Sequence, residues 1–348
     1  MSIQETNLKA IADAIRAKTG ETGTIVANDF ASKIAAISTG VAKPSWVQST
    51  LPELDNASAS WMSVCYGNGK FVAVATNNSA AAYSTDGITW TQTPMTDVKL
   101  WQSICYGNGK FVAIALNSAT AAYSTDGVTW TQTTMPGTRA WRSVCYGNGK
   151  FVAVANDTQF GAYSTDGITW SSMRMLTNDD MWGSVCYGNG KFVAITQGEG
   201  NAASVAYSTD GINWTQSLPY GTNCQSVCYG GGKFVLVCAD GSGKYLYSSD
   251  GVSWTTEVKS DAGIWVSVGY GGDKFVAAPV SGNHIAYSTD GVTWVWTPFT
   301  SPSAIDETYF NSICYGNGTF VAIGSYYDAD YNEFPLAIYL KDSFDEWA

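Results

Sequence analysis

The chain is short of the residues that most chemistry relies on. Its 348 residues include one histidine, His284, four arginines and nine prolines, and only 14% are charged. Each shortage removes a class of function. With one histidine, neither a Ser-His-Asp constellation nor a His-rich metal site can be assembled. Four arginines (Arg16, Arg139, Arg142 and Arg174) in a chain of net charge −11 are too few for a phosphate-tracking groove, and nucleic acid is repelled on average. No apolar run approaches membrane-spanning length. The N-terminus has no charged start leading into an apolar stretch, so a soluble chain without a Sec-type address or membrane insertion is expected. No cofactor and no metal are expected.

What the chain has instead is repetition. About forty residues recur seven times, beginning at Trp61, Trp101, Trp141, Trp182, Cys224, Trp265 and Phe310. A fixed period of this size marks stacked supersecondary units, none of which can bury its apolar face alone. Within the second copy, W-Q-S-I-C-Y precedes the tight turn G-N-G-K, and F-V-A-I-A follows as a strand covered on both faces. A variable loop leads to A-A-Y, then S-T-D-G turns the chain into V-T-W-T-Q-T. Four short antiparallel strands with regular turns make a propeller blade. The expected fold is all-β: a seven-bladed β-propeller of four-stranded antiparallel blades over residues 46–348.

The seventh copy ends in the degenerate segment Y-L-K-D-S-F-D-E-W before a fourth strand. Trp46-Val47-Gln48-Ser49-Thr50 reads like the missing one. Residues 46–52 are therefore expected to complete the last blade and close the ring.

Six cysteines (Cys65, Cys105, Cys145, Cys186, Cys228, Cys314) share one repeat position, and repeat six has Gly269 there. Equivalent sites in neighbouring blades are expected to lie too far apart to bridge, which points to buried reduced thiols over a metal or redox role. The turn aspartates Asp86, Asp126, Asp166, Asp210, Asp250 and Asp290 also recur at one position. Each is expected to accept backbone N–H bonds across its own turn, with the following glycine at positive φ. The alternative, a ring of metal-binding or acid/base carboxylates, is less economical. The S-T-D-G-[IV]-[TNS]-W segments resemble the Asp-box hairpin of sialidase-related propellers, with one residue fewer between Asp and Gly. In that family the box is a structural turn away from the active site. Sialidases clamp a carboxylate with three arginines from separate blades. Here Arg139 and Arg142 share one interblade segment and Arg174 lies in the next, which argues against that activity.

Residues 1–37 differ in kind. Leu8, Ile11, Ala12 and Ile15 recur at helical spacing up to Gly20, and Asn28 caps a second helix through Phe30, Ile34 and Ile37. A small helical hairpin is expected, followed by a linker at 38–45. N-L-K-A-I-A-D-A-I-R-A-K-T-G followed by T-I-V-A-N-D-F-A-S-K-I-A-A-I resembles a segment of bacteriophage and prophage tail fibre proteins. The resemblance covers about 35 residues. It implies a virion tail component made in a bacterial cytoplasm, with the hairpin (residues 1–44 with the linker) attaching to other tail proteins or forming a homo-oligomer. A helical cap on the propeller is the alternative.

In a propeller the 1–2 and 3–4 loops share one rim, while the 2–3 loops and interblade links share the other. The first rim here carries the near-invariant G-N-G-K and S-T-D-G turns, and the second carries everything that varies. Loops free of scaffolding duty are where recognition is expected. The candidates on that rim are Tyr326, Tyr327, Asp328, Asp330, Tyr331, Asn332 and Glu333, with Asp306, Tyr309, His284, Phe160 and Glu199. Aromatics beside acids and amides suit a saccharide or a basic protein patch; a loop that merely covers the last blade is the alternative. D-A-D-Y-N begins like a calcium loop, but Glu333 stands where the sharp turn needs glycine. The strand-start tryptophans are expected to pack blades, a sugar-stacking rim being the alternative. A paired-carboxylate glycosidase using Glu199 and Asp306 also stays open. The resulting expectation is a non-catalytic tail receptor-binding protein recognising a host-surface glycan or protein. A glycan-active hydrolase and a protein-interaction scaffold are the alternatives.

Overall fold

A computed structural model describes Trp46–Lys341 apart from residues 57, 158, 177–180, 198–203, 219–222, 240, 242, 259–263 and 303–307, together with Asp13. The expected hairpin at 1–37 and linker at 38–45 lie outside the described residues, as do Glu199 and Asp306. The chain divides into two compact units, Trp46–Lys341 and residues 1–45 with 342–348.

The described unit is all-β, with seven four-stranded sheets in which sequence neighbours pair antiparallel. The strand beginning each repeat is innermost, since these strands contact one another around the ring from Ser60–Gly67 to Thr308–Gly316 and back. The second strands, such as Lys110–Ala115, are buried on both faces, which explains their unbroken apolar sequence. The G-N-G-K hairpins need positive φ at two consecutive residues, as in a type I′ turn. Asn148 at 45° and Gly149 at 75° supply it.

Two chemical rings hold the blades in register. In every blade the inner-strand serine accepts a bond from the next blade's backbone. The Ile104 N–H donates to Ser63 Oγ, the Val144 N–H to Ser103 Oγ, and so on to the Val64 N–H and Ser312 Oγ at 3.3 Å. Further along, the tyrosine of each blade lays its ring on the preceding blade's glycine, as Tyr187 does on Gly147 and Tyr66 on Gly316. Both sets run unbroken through all seven blades.

Val47–Ser49 pairs antiparallel with Glu333–Lys341 and takes the fourth position of the last blade. Its flanks reach both neighbours: Trp46 bridges Phe299, and Thr50 bridges Thr89. Leu51 is fully buried among Trp61, Trp90, Val321 and Ala337. The strand-start tryptophans are core residues, with Trp61, Trp101, Trp141 and Trp182 completely enclosed. They do not form a sugar-stacking rim.

The six repeat-position cysteines are free, and burial pushes each thiol above its ordinary range. The other two, Cys224 and Cys238, form a disulfide. They face each other across paired strands, where other blades set tryptophan against a small residue, as in Trp101 opposite Ala115. The signal was in the alignment of the repeats: copy five exchanges both members of that pair for cysteine.

Candidate functional site

The two rims differ in how much of their chemistry is already used. On the conserved rim every turn aspartate is consumed locally. Asp126 Oδ1 accepts from the Val128 and Thr129 N–H groups and from Ser124 Oγ, and that hydroxyl accepts from the Gly127 N–H. The neighbouring hairpins are tied to these turns. Asn68 donates to Thr125 O, Asn108 to Thr165 O, and Lys70 Nζ to Asp126 O. This explains why G-N-G-K and S-T-D-G vary so little: each turn aspartate has a structural task in its own hairpin.

The same bonds set an acid limit on stability. Donation by the Thr129 N–H, opposed by burial and helped by Val128 and Ser124, holds Asp126 at about 2. At Asp166 and Asp290 burial pushes the carboxyl up, but backbone and serine donation outweighs it and leaves each at about 2. Bonds from the Ser253 and Val252 N–H groups hold Asp250 at about 2, and Asp86 and Asp210 shift the same way. These folded-state values lie below the unfolded carboxylate value of about 3.9. Their stabilisation is therefore complete above that value and is lost as pH falls through about 2. Melting temperature is expected to fall steeply between about pH 4 and pH 2, and less steeply in an Asp126→Asn variant, whose side chain no longer titrates. Thermal melts across that range check this; equal slopes in the two proteins would contradict it.

On the variable rim the last blade meets the first, and a cavity of about 160 Å³ opens between them. One wall is the segment before the first repeat, with Glu53, Leu54 and Ser60. The other is the end of the last blade, with Ser325, Glu333, Phe334 and Pro335. Trp61 closes the floor, its indole N–H satisfied by Pro52 O at 3.1 Å. Gly324 is needed beside it, because a Cβ there would lie 1.9 Å from Tyr309 O. Glu333 is oriented across the seam. Its Oε2 accepts from the Tyr327 hydroxyl at 3.1 Å and its Oε1 from Ser60 Oγ at 3.4 Å. Glu53 is the second carboxylate at the mouth, and no lining residue is basic.

This places the sequence candidates unevenly. Tyr326 stacks on Phe334 at 5.3 Å, and Tyr327, edge-on to Tyr309 at 5.8 Å, donates to Glu333; of these residues Phe334 and Glu333 line the cavity, and the three tyrosines do not. Asp328 is spent on its own turn, accepting from the Asp330 and Asn332 backbone and from the Asn332 amide. Tyr331 tops that turn at φ 62° and is 68% exposed. The other two candidates lie elsewhere: His284 sits in blade six against Trp296 at 6.3 Å, and Phe160 in blade three under Arg139 at 4.8 Å. Glu53, Leu54 and Ser60 were not anticipated. Their only signal was that residues 50–60 fall outside the repeat.

No family model matches the chain, and no curated protein matches it. Solved structures do. A virginiamycin B lyase from Staphylococcus aureus, in a catalytically inactive histidine-to-alanine form with quinupristin, is similar at a TM-score of 0.71 and 11% identity, over 85% of this chain and 99% of that one. A streptogramin B lyase is similar at 0.69 and 10%, over 86% and 98%. A computationally designed protein follows at 0.54 and 9%, over 84% and 99%. At these identities the likeness establishes the fold.

It also corrects the functional expectation. The reading as a non-catalytic phage tail receptor-binding protein is overturned: the shared toroid is one that lyases use, so the architecture gives no ground for excluding catalysis. The phage and Asp-box resemblances find no support in these comparisons, although the turn geometry stands on its own hydrogen bonds.

Proposed function

We propose that the protein binds a small cationic molecule with an apolar flank in the cavity between the last and first blades. One observation carries this reading: two carboxylates, Glu53 and Glu333, stand at the mouth of a concave site walled by Leu54, Phe334 and Pro335, with no basic residue in the lining. The carboxylates suit an ammonium or guanidinium group and the walls its hydrocarbon, while Ser60 and Ser325 offer hydroxyls. Pairing of Val47–Ser49 with the last blade belongs to the same reading, as the clasp that holds the two walls at a fixed spacing.

A second reading follows from the shared fold. A proton-abstracting role falls to Glu333, which Tyr327 orients at the cavity. His284, the chain's one histidine, is in blade six against Trp296 and does not line this cavity.

Calorimetry with a panel of small amines tests binding. Glu333→Gln is expected to weaken an amine that binds by about tenfold, the scale of one charge-assisted hydrogen bond. Unchanged affinity would refute the assignment. Mass spectrometry of the same mixtures separates the two readings: an unaltered ligand supports binding alone, and elimination products lost in Glu333→Gln support catalysis.

A further inference from the structure

The hairpin joining the first two strands of a blade carries Asn-Gly in five of the seven blades: Asn68-Gly69, Asn108-Gly109, Asn148-Gly149, Asn189-Gly190 and Asn317-Gly318. The pair suits a type I′ turn, and it is also the dipeptide in which an asparagine amide is most open to attack by the next backbone nitrogen. Glycine has no Cβ to shield that nitrogen, and its freedom lets the chain reach the geometry that ring closure needs. All five asparagines are exposed and sit at φ between 45° and 48°. The glycines are open too: a Cβ on any of the five would meet nothing within 4 Å.

What separates the five is how each tip is tied down. The Asn68, Asn108, Asn148 and Asn189 amides donate to the turn of the next blade, at Thr125 O, Thr165 O, Thr209 O and Ser249 O. In blade one Lys70 adds a second tie, its Nζ donating to Asp126 O at 2.9 Å. The hairpin of blade seven has neither. Among the described residues the Asn317 amide has no hydrogen-bond partner, and Thr319 stands where the other six hairpins carry lysine. Tyr66 still lies on Gly316, so the end of the strand is seated and only the tip is untied. The Gly318 N–H is at that tip, outside the ladder that pairs Gly316 with Thr319.

We propose that Asn317 is a self-modification site, where the side-chain amide is lost by intramolecular attack ahead of the other four. The Gly318 nitrogen gives up its proton to hydroxide and bonds to Asn317 Cγ. The Cγ–Nδ2 bond breaks, and the amide nitrogen leaves as ammonia. Water then opens the cyclic imide at either carbonyl, giving aspartate or isoaspartate. The tied amides resist, because each must first release its carbonyl and the hairpin must open. Either product adds a negative charge to a chain already at −11, and isoaspartate adds a carbon to the backbone of a tight turn. The change falls where the last blade meets the first, beside the Gly316 that Tyr66 covers.

Peptide mapping by mass spectrometry, on the full chain held in warm, mildly alkaline buffer, tests this. Asn317 is expected to convert about fivefold faster than Asn68, Asn108, Asn148 and Asn189, the scale of one neutral hydrogen bond. Aspartate and isoaspartate peptides should appear together, since both come from one imide. Lys70→Met removes the second tie in blade one and should speed Asn68 by a similar factor, while Asn108 keeps its rate. Asn317→Gly gives blade seven the pair that blade five carries at Gly231 and Gly232, so it should fold. It should also keep its melting temperature through the incubation, whereas the wild type loses stability in step with conversion at Asn317. Equal rates at all five asparagines would overturn the inference. So would an Asn317 that stays intact while the others convert, or an Asn68 rate unmoved by Lys70→Met.

Discussion

Replacing Gly147 by alanine is expected to cost about 3 kcal/mol or more, at the upper end of what overpacking a dense core does. The new Cβ would lie 2.0 Å from Tyr187 Cγ and 2.4 Å from both its Cβ and Cδ1. The tyrosine has little room to retreat, because its ring packs on Phe192 with centroids 4.7 Å apart. One of seven equivalent blade-to-blade contacts would then be forced apart, and melting temperature should fall by roughly 6 °C or more. Tyr187→Gly removes both the ring and the Cβ that obstruct the new methyl. The double variant should therefore lose much less than the two single losses combined, the mark of direct coupling. A Gly147→Ala protein that melts like the wild type would show that the tyrosine-on-glycine ring does not hold the blades.

The second large effect concerns the clasp. A chain beginning after residue 51 loses Trp46, 5% exposed, and Leu51, fully buried, together with the Val47–Ser49 pairing. Burial of the two side chains alone is worth about 4–6 kcal/mol. The strand Glu333–Lys341 would become an open edge, which invites strand addition from another molecule. Denaturant unfolding should show the loss, and size-exclusion chromatography with light scattering should show new association. Leu51→Ala separates packing from pairing: it keeps the strand and should cost about 2–4 kcal/mol without promoting association. An unchanged midpoint in the truncated chain would contradict the clasp.

These two predictions mark where the sequence was legible. The seven copies announced the toroid, its four-stranded blades and the division of turns between rims, because a repeat reports its own scaffold. Trp46 to Thr50 was readable as the extra strand because it resembles T-W-T-Q-T. The invariance of Tyr-Gly at the end of each inner strand was equally visible, but its cause was not: six of the glycines are kept small by a tyrosine about forty positions on, as with Tyr106 over Gly67, and Gly316 by Tyr66 across the ring closure. The seam cavity was harder still. Ser60 and Glu333 are 273 residues apart and meet only through the order of blades around the ring. Glu53 and Leu54 belong to no repeat, so comparing copies could not single them out. Segment 325–335 reaches the seam cavity through Ser325, Glu333, Phe334 and Pro335, whereas Asp328 drew attention for a carboxylate that its own turn consumes. Function was misjudged because a rim of variable loops reads equally well as an adhesin or as the mouth of an enzyme.

The division of labour between the rims can be measured in one experiment. A ligand-observed NMR screen of small amines would be run in parallel on the wild type, on Ala59→Trp, which fills the seam cavity, and on Asn148→Ala, which cuts the bond from a conserved hairpin to Thr209 O. The account predicts amines that bind the wild type and Asn148→Ala alike and are lost from Ala59→Trp. Amines that persist in Ala59→Trp while vanishing from Asn148→Ala would contradict it.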